Sequence, residues 1–334
     1  MTTSPDTAIA ASGSLYAARP DIHVPAGFER NCAMGDTITL LSQPWAFLIV
    51  REAFFGARRF SDFVSRLGIP RATLSASLSS LIDDRLLETR SHSQGSAWKT
   101  YRLSQRGGEL FPIYLGFVSF GDTWLTDGVP PLALYHASCR SWFSPRIVWA
   151  ETGGAVDPRQ IDVKLEDNYW RPRSAQEPRR RRIVKADGQM GMRACSMERL
   201  LSIVGDRWTF LILREMFHGN RSFQEFLDNL QIASNILSQR LQSLVDGGMI
   251  ERPAAVGRSG YRLTAKGIDI YGPMILMKHW GDRWLMPQAR PTMDFIDRAS
   301  TQKRTPTVVC SCCGHTPEPL QTGYRGRDAG VFSI

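Results

Sequence analysis

Cysteine is scarce in this chain: six residues in 334, at Cys32, Cys139, Cys195, Cys310, Cys312 and Cys313. So few exclude a disulfide scaffold and leave core, metal-ligand or redox-thiol roles. No apolar run approaches the ~20 residues needed to cross a bilayer. The N-terminus MTTSPDTAIAASGS lacks the basic n-region and apolar core of a secretory signal, so a cytoplasmic location without membrane contact is expected. Enzyme signatures are missing too. There is no glycine-rich phosphate loop, no G-x-S-x-G, no H-E-x-x-H and no deaminase-like pattern, and the chain reads as a non-enzyme. Evenly spread basic charge is also absent. The net charge is +9, but segment 171–185 alone carries seven basic residues against one acidic, which leaves +3 for everything else.

What is present fits a globular protein of two or three domains, with 43% hydrophobic and 22% charged residues. The most informative feature is internal. Residues 32–90 align without a gap to 195–253, with 22 of 59 positions identical. Cys32/Cys195, Trp45/Trp208, Arg51/Arg214, Glu52/Glu215, Gly56/Gly219 and Phe63/Phe226 are among them. Further on, YRLSQRG (101–107) matches YRLTAKG (261–267), and GDTWL (121–125) matches GDRWL (281–285). A third stretch corresponds at an offset of 161, where Pro145 matches Pro306 and Asp157-Pro158 matches Glu318-Pro319.

In the second copy, apolar spacing predicts helices over 200–204, 208–219 and 221–230, the last entered through Ser222 as N-cap. A fourth covers 234–248, where Ile236/Leu237, Leu241 and Leu244 form one buried stripe. Residues 249–253 and 260–267 read as two strands around a Gly/Arg/Ser loop, followed by a helix over about 265–284. The first copy repeats the order with a longer loop over 91–98. Arg51-Glu52 and Arg214-Glu215 sit mid-helix, where a structural ion pair is expected. The fold class is therefore mainly α with small β-hairpin wings: tandem winged helix-turn-helix domains, in which the second helix enters a major groove and the wing touches backbone or minor groove. The expected division is a flexible tail (1–28), domain 1 (29–126), a small zinc-ribbon-like extension (127–161), a basic linker (162–190), domain 2 (191–286) and a second small extension (287–334).

These runs resemble the HxlR-type winged helix-turn-helix transcriptional regulators. The carriers are the Cys before the first helix, G-D-R-W-T-F-L-I-L-R-E (205–215), G-x-R-x-F-x-x-F (219–226), I-x-x-x-x-L-S-x-x-L (232–241), Y-R-L-T-x-x-G (261–267) and W-G-D (280–282). Copy 1 departs at Gln43-Pro44, where copy 2 has Asp206-Arg207. The resemblance implies a bacterial, sequence-specific transcriptional regulator that binds double-stranded DNA. Members usually pair as homodimers. Here one chain carries both halves, so an intramolecular pseudo-dimer on two dissimilar half-sites is expected, with a homodimer of the whole chain and a small-molecule effector as further partners. The alternative is an interaction or nonspecific DNA-packaging protein built on the same domains.

In copy 2 the outward positions are Ser234, Asn235, Ser238, Gln239 and Gln242, with Arg240 at the edge. Asn and Gln can bond an adenine edge and Arg a guanine edge. The copy 1 set is Arg71, Ala72, Ser75, Ala76 and Ser79, with Ser77 at the edge. Serine contacts are weak and permissive, so copy 1 should discriminate less. Wing candidates are Arg258, His92 and Gln94. Arg58 and Arg221 either contact phosphates or cap the third helix. For each of these residues the competing reading is a solvated surface side chain.

Cys32 and Cys195 precede equivalent helices, where the helix dipole, aided by Arg30 and Arg193, would favour a thiolate. The resemblance makes redox or electrophile sensing one reading; a small buried interface residue is the other. Copy 1 also holds His136-x-x-Cys139, followed by Trp149 and Thr152. Copy 2 has Asp297 and Ser300 there, followed by Cys310-x-x-Cys313. Together the halves make an H-x2-C…C-x2-C zinc set. Three readings are open: an ancestral module that decayed separately in each copy, one zinc site across the two copies, or a local C-terminal site using Cys312 and His315.

Overall fold

The computed structural model describes residues 22, 24–43, 45–91, 99–173, 195–252, 260–286, 291–326 and 332–333. About half of it is helical, joined to small antiparallel sheets. The helices of the first half are α1 (Ala33–Leu41), α2 (Ala46–Phe54), α3 (Phe60–Leu67), α4 (Arg71–Asp83), α5 (Gln105–Gly108) and α6 (Phe111–Trp124). The second half repeats them as α7 (Ser196–Val204), α8 (Arg207–Phe217), α9 (Phe223–Leu230), α10 (Ser234–Asp246), α11 (Ala265–Asp269) and α12 (Tyr271–Trp284).

Local chemistry sets these boundaries. Ser222 and Glu225 close a capping box on α9. In copy 1, which has Arg59 at the Ser222 position, Asp62 alone accepts the N–H groups of Arg58 and Arg59, at 2.9 and 2.8 Å. Asp206 caps α8 by accepting from Trp208 and Thr209. Its counterpart is Gln43, so α2 starts two residues later in register and Trp45 is left-handed at φ 68°. The expected helix over 265–284 is split at Ile270. Pro273 has no N–H to donate to the Asp269 carbonyl, so the turn cannot continue.

A hairpin follows each four-helix run: Leu87–Ser91 with Lys99–Leu103, and Ile250–Glu251 with Arg262–Leu263. The glycine of each Y-R-L run has a steric cause. A Cβ at Gly107 would lie 2.0 Å from the Leu86 carbonyl oxygen, and one at Gly267 would lie 1.9 Å from that of Met249.

The copies pack reciprocally. Helix α1 lies on α12, α7 lies on α6, and α6 contacts α12. Gly281 admits Ala33 of α1, and Gly121 admits Ser196 of α7. The strands after the helices are shared in the same way. Leu132–His136 pairs with Thr322–Gly326, and its equivalent Met293–Asp297 pairs with Ile161–Leu165. The equivalent strands Pro145–Trp149 and Pro306–Cys310 pair antiparallel about Ile147↔Val308.

Two expected boundaries are corrected. Residues 161–165 and 170–172, mostly assigned to the linker, are strands, the second paired with Phe28–Arg30. Their partners lie in distant segments, so neither local composition nor charge marks them. The tail ends earlier than residue 28: Ile22 donates to the His218 carbonyl and Val24 to Asn229.

Candidate nucleic-acid interface and metal centre

Helices α4 and α10 each turn one leucine stripe inward. Leu74, Leu78 and Leu81 are buried in the first, and Leu237, Leu241 and Leu244 in the second. The opposite faces are largely exposed: Arg71, Ala72, Ser75, Ala76 and Ser79 on α4; Ser234, Asn235, Ser238, Gln239 and Gln242 on α10. Some of these side chains already have local partners. The Asn235 carbonyl oxygen accepts from the Ile236 N–H, Gln242 donates to Asp246, and Arg71 lies 5.3 Å from the Phe60 ring centre.

Edge residues are more engaged. Arg240 forms an ion pair with Asp206 at 2.5 Å, which joins α10 to the start of α8. Its counterpart Ser77 is half-buried. Arg58 donates to the carbonyls of Ala53 and Ala57, so it closes the end of α2 and does not reach outward. Half-buried Arg221 donates its backbone N–H to Glu225. The wing candidates His92, Gln94 and Arg258 lie outside the described residues, as does Arg193.

Cys32 and Cys195 are both buried, at 3% exposure, at the starts of α1 and α7. Arg30, expected beside Cys32, reaches across to the second copy. Its guanidinium donates twice to Glu215, at 2.9 and 2.7 Å. Glu215 also accepts from Arg214, Asn220 and Asn229. Burial would raise its carboxyl, but the charges of Arg30 and Arg214 overcome this and hold it at about 2. Tyr169, buried beside them, shares a 2.9 Å hydrogen bond with His218. No sequence window reveals the whole cluster, because Arg30 lies 185 residues from Glu215 and Tyr169 lies 49 from His218. The mid-helix Arg214-Glu215 and Arg51-Glu52 pairs are buried ion pairs, each at 2.8 Å.

His136, Cys139, Cys310 and Cys313 come together. Their ligand atoms all lie within 4.8 Å of one another, a group that could hold a metal ion. His136 Nδ1 is 3.6 Å from Cys139 Sγ and 3.4 Å from Cys313 Sγ, and Cys139 Sγ is 3.9 Å from Cys310 Sγ. His136 and Cys310 are fully buried, whereas Cys312 and His315 are exposed and outside the group. The backbone N–H of Cys312 points at Cys310 Sγ at 3.4 Å. That of His315 pulls the Cys313 thiol down to about 6, while burial and the neighbouring thiols push Cys139 up to about 12.

The model of the HxlR-like helix-turn-helix family matches residues 40–128 and again 203–289. An HTH-type transcriptional regulator of Mycobacterium bovis is 34% identical over 131 residues, 39% of this chain and 82% of its own length. The HTH-type transcriptional regulator YodB of Bacillus subtilis is 30% identical over 103 residues, 29% of this chain and 92% of its own. Among solved structures, a proposed transcription factor from Pseudomonas aeruginosa is 35% identical over 31% of this chain and 72% of its own, with a TM-score of 0.25.

Proposed function

The chain belongs to the HxlR-like helix-turn-helix family, with two copies in tandem, and from that premise we propose that it is a sequence-specific DNA-binding regulator of transcription. In this reading residues 29–126 and 191–286 are winged helix-turn-helix domains that form an intramolecular pseudo-dimer. Helices α4 and α10 enter successive major grooves and read dissimilar half-sites.

The observation that carries the reading is the pair of equivalent helices, each seated on a buried leucine stripe with its polar face turned outward. The amides of Asn235 and Gln239 read adenine edges, while Ser75 and Ser79 make permissive contacts. Arg71 and Arg221 contact phosphates, and Ser234, Ser238 and Gln242 fix the register of α10. Arg240 and Ser77 position their helices from the edge. The wing residues His92, Gln94 and Arg258 touch the flanking backbone. A divalent cation at the His/Cys cluster is structural here and does not touch DNA. Thiol response at Cys32 or Cys195 proceeds only through local opening, since both are buried.

The test is selection of bound fragments from random DNA, followed by footprinting. The expected result is an operator with two unequal half-sites about one helical turn apart. Binding with no sequence preference and a steep salt slope would instead favour the packaging role.

A further inference from the structure

We propose that His136, Cys139, Cys310 and Cys313 form a closed structural zinc site, one per chain, that fastens the two copies together. The ligand set is the first argument. Three thiolates and one imidazole suit tetrahedral Zn2+ and disfavour Mg2+ or Ca2+, which take oxygen ligands. The distances are the second. Zn–S of ~2.3 Å and Zn–N of ~2.0 Å imply tetrahedral edges of about 3.8 Å between sulfurs and about 3.5 Å between nitrogen and sulfur. The cluster has 3.9 Å for Cys139–Cys310, and 3.6 and 3.4 Å from His136 to Cys139 and Cys313. A disulfide needs ~2.05 Å between sulfurs.

The surroundings complete the site. Gly314, at φ 74°, turns the chain after Cys313, and its N–H donates to the Cys310 carbonyl. The N–H of Cys312 points at the Cys310 sulfur, the kind of outer contact that orients metal thiolates. Four protein ligands leave no open position, so the role is structural rather than catalytic.

Location shows what the ion does. His136 ends a strand paired with Thr322–Gly326, and Cys310 ends a strand paired with Pro145–Trp149. One ion thus joins two of the three inter-copy strand pairings, at their ends. Internal symmetry would supply a second site, but its positions hold Asp297, Ser300, Trp149 and Thr152. There Asp297 binds Ser300 and lies 3.5 Å from Arg304, and Trp149 packs on Phe295. All four ligands fall outside 40–128 and 203–289, so the site is separate from the family-matched segments.

Metal analysis of the full-length chain, purified under reducing conditions without chelator, should give one zinc per chain. Replacing zinc with Co2+ should produce a thiolate-to-cobalt charge-transfer band. Cys312→Ser and Cys32→Ser should keep the full metal content, and Cys313→Ser should lose it. His136→Cys should keep the ion with a more sulfur-rich cobalt spectrum. If Cys313→Ser does not fold, the wild-type cobalt spectrum remains decisive. Absence of metal with all six thiols reduced, two ions per chain, no thiolate band, or loss of metal in Cys312→Ser would each overturn the proposal. DNA binding is not among the readouts, so failure of the regulator reading leaves this test intact.

Discussion

The indole N–H of Trp284 donates to the carboxylate of Glu109 at 2.8 Å, from the last helix of copy 2 to the first copy. Its equivalent returns the bond: Trp124 donates to Asp269, also at 2.8 Å. Glu109 and Asp269 are themselves equivalents at the offset of 160 that aligns the two Y-R-L runs. With Gly121 against Ser196 and Gly281 against Ala33, these bonds make the helical packing between copies two-fold in its chemistry. Each bond is partly exposed, so each contributes only about 1 kcal/mol. Trp124→Phe with Trp284→Phe should therefore lower stability by roughly 2 kcal/mol in denaturant titration, within a single transition for both copies. Two separate transitions in the wild-type chain would contradict the shared packing.

Glu215 makes the acid response of the chain specific. Its carboxyl titrates at about 2 in the fold against 4.5 ordinarily. A depressed carboxyl adds stability that is complete above the ordinary value and is lost as pH falls from 4.5 towards 2. Glu215→Gln should flatten that acid limb. It should also cost about 3–5 kcal/mol at neutral pH, because Arg30 and Arg214 lose their buried counter-charge. Urea unfolding at pH 3 and pH 7 measures both effects. An unchanged difference between the two pH values would remove Glu215 from this role.

Much of the fold is legible in the sequence, for local reasons. The leucine spacing of α4 and α10, the Ser222 cap and the repeated glycines are properties of short windows. So is the His/Cys pattern, and comparing the copies suggests that its halves could meet. The strands of 161–165 and 170–172 are not legible, because their partners are 293–297 and 28–30. The partner of Arg30 is illegible for a related reason. Sequence places it beside Cys32, whereas the fold places its guanidinium against Glu215, 185 residues away.

Exposure should order the thiols. Cys312 is exposed, while Cys32 and Cys195 are 3% exposed. A brief pulse of iodoacetamide, read by peptide mass spectrometry, should modify Cys312 first and Cys32 and Cys195 last. Modification of Cys32 as fast as Cys312 would mean that the start of α1 opens readily, which would favour a sensing role.

The basic segment 171–185 supplies a charge test. Arg179–Arg182 belong to the segment that holds most of the net charge. Replacing all four with Ala should weaken binding on every DNA sequence. It should also reduce the salt slope by about 0.9 for each phosphate that these arginines neutralise. A change in sequence preference would show that the segment reads bases instead.

The two recognition faces should contribute unequally to specificity. On α10, Asn235 and Gln239 are exposed amides, each capable of bidentate bonding to adenine. On α4 the matching positions are Ala72 and Ala76, which offer a base only a methyl group. Each bidentate pair is worth ~1–3 kcal/mol, or roughly 5- to 150-fold in affinity for the correct base. Asn235→Ala with Gln239→Ala should therefore weaken operator binding by at least about ten-fold and leave random-sequence binding nearly unchanged. Ser75→Ala with Ser79→Ala should change operator binding by only a few-fold. Fluorescence anisotropy on operator and random duplexes at one salt concentration separates the terms, because removing a phosphate-binding group weakens both duplexes alike. Equal weakening on both duplexes for the α10 pair would mean that its amides bind backbone, and the two-half-site reading would then lose its main source of specificity.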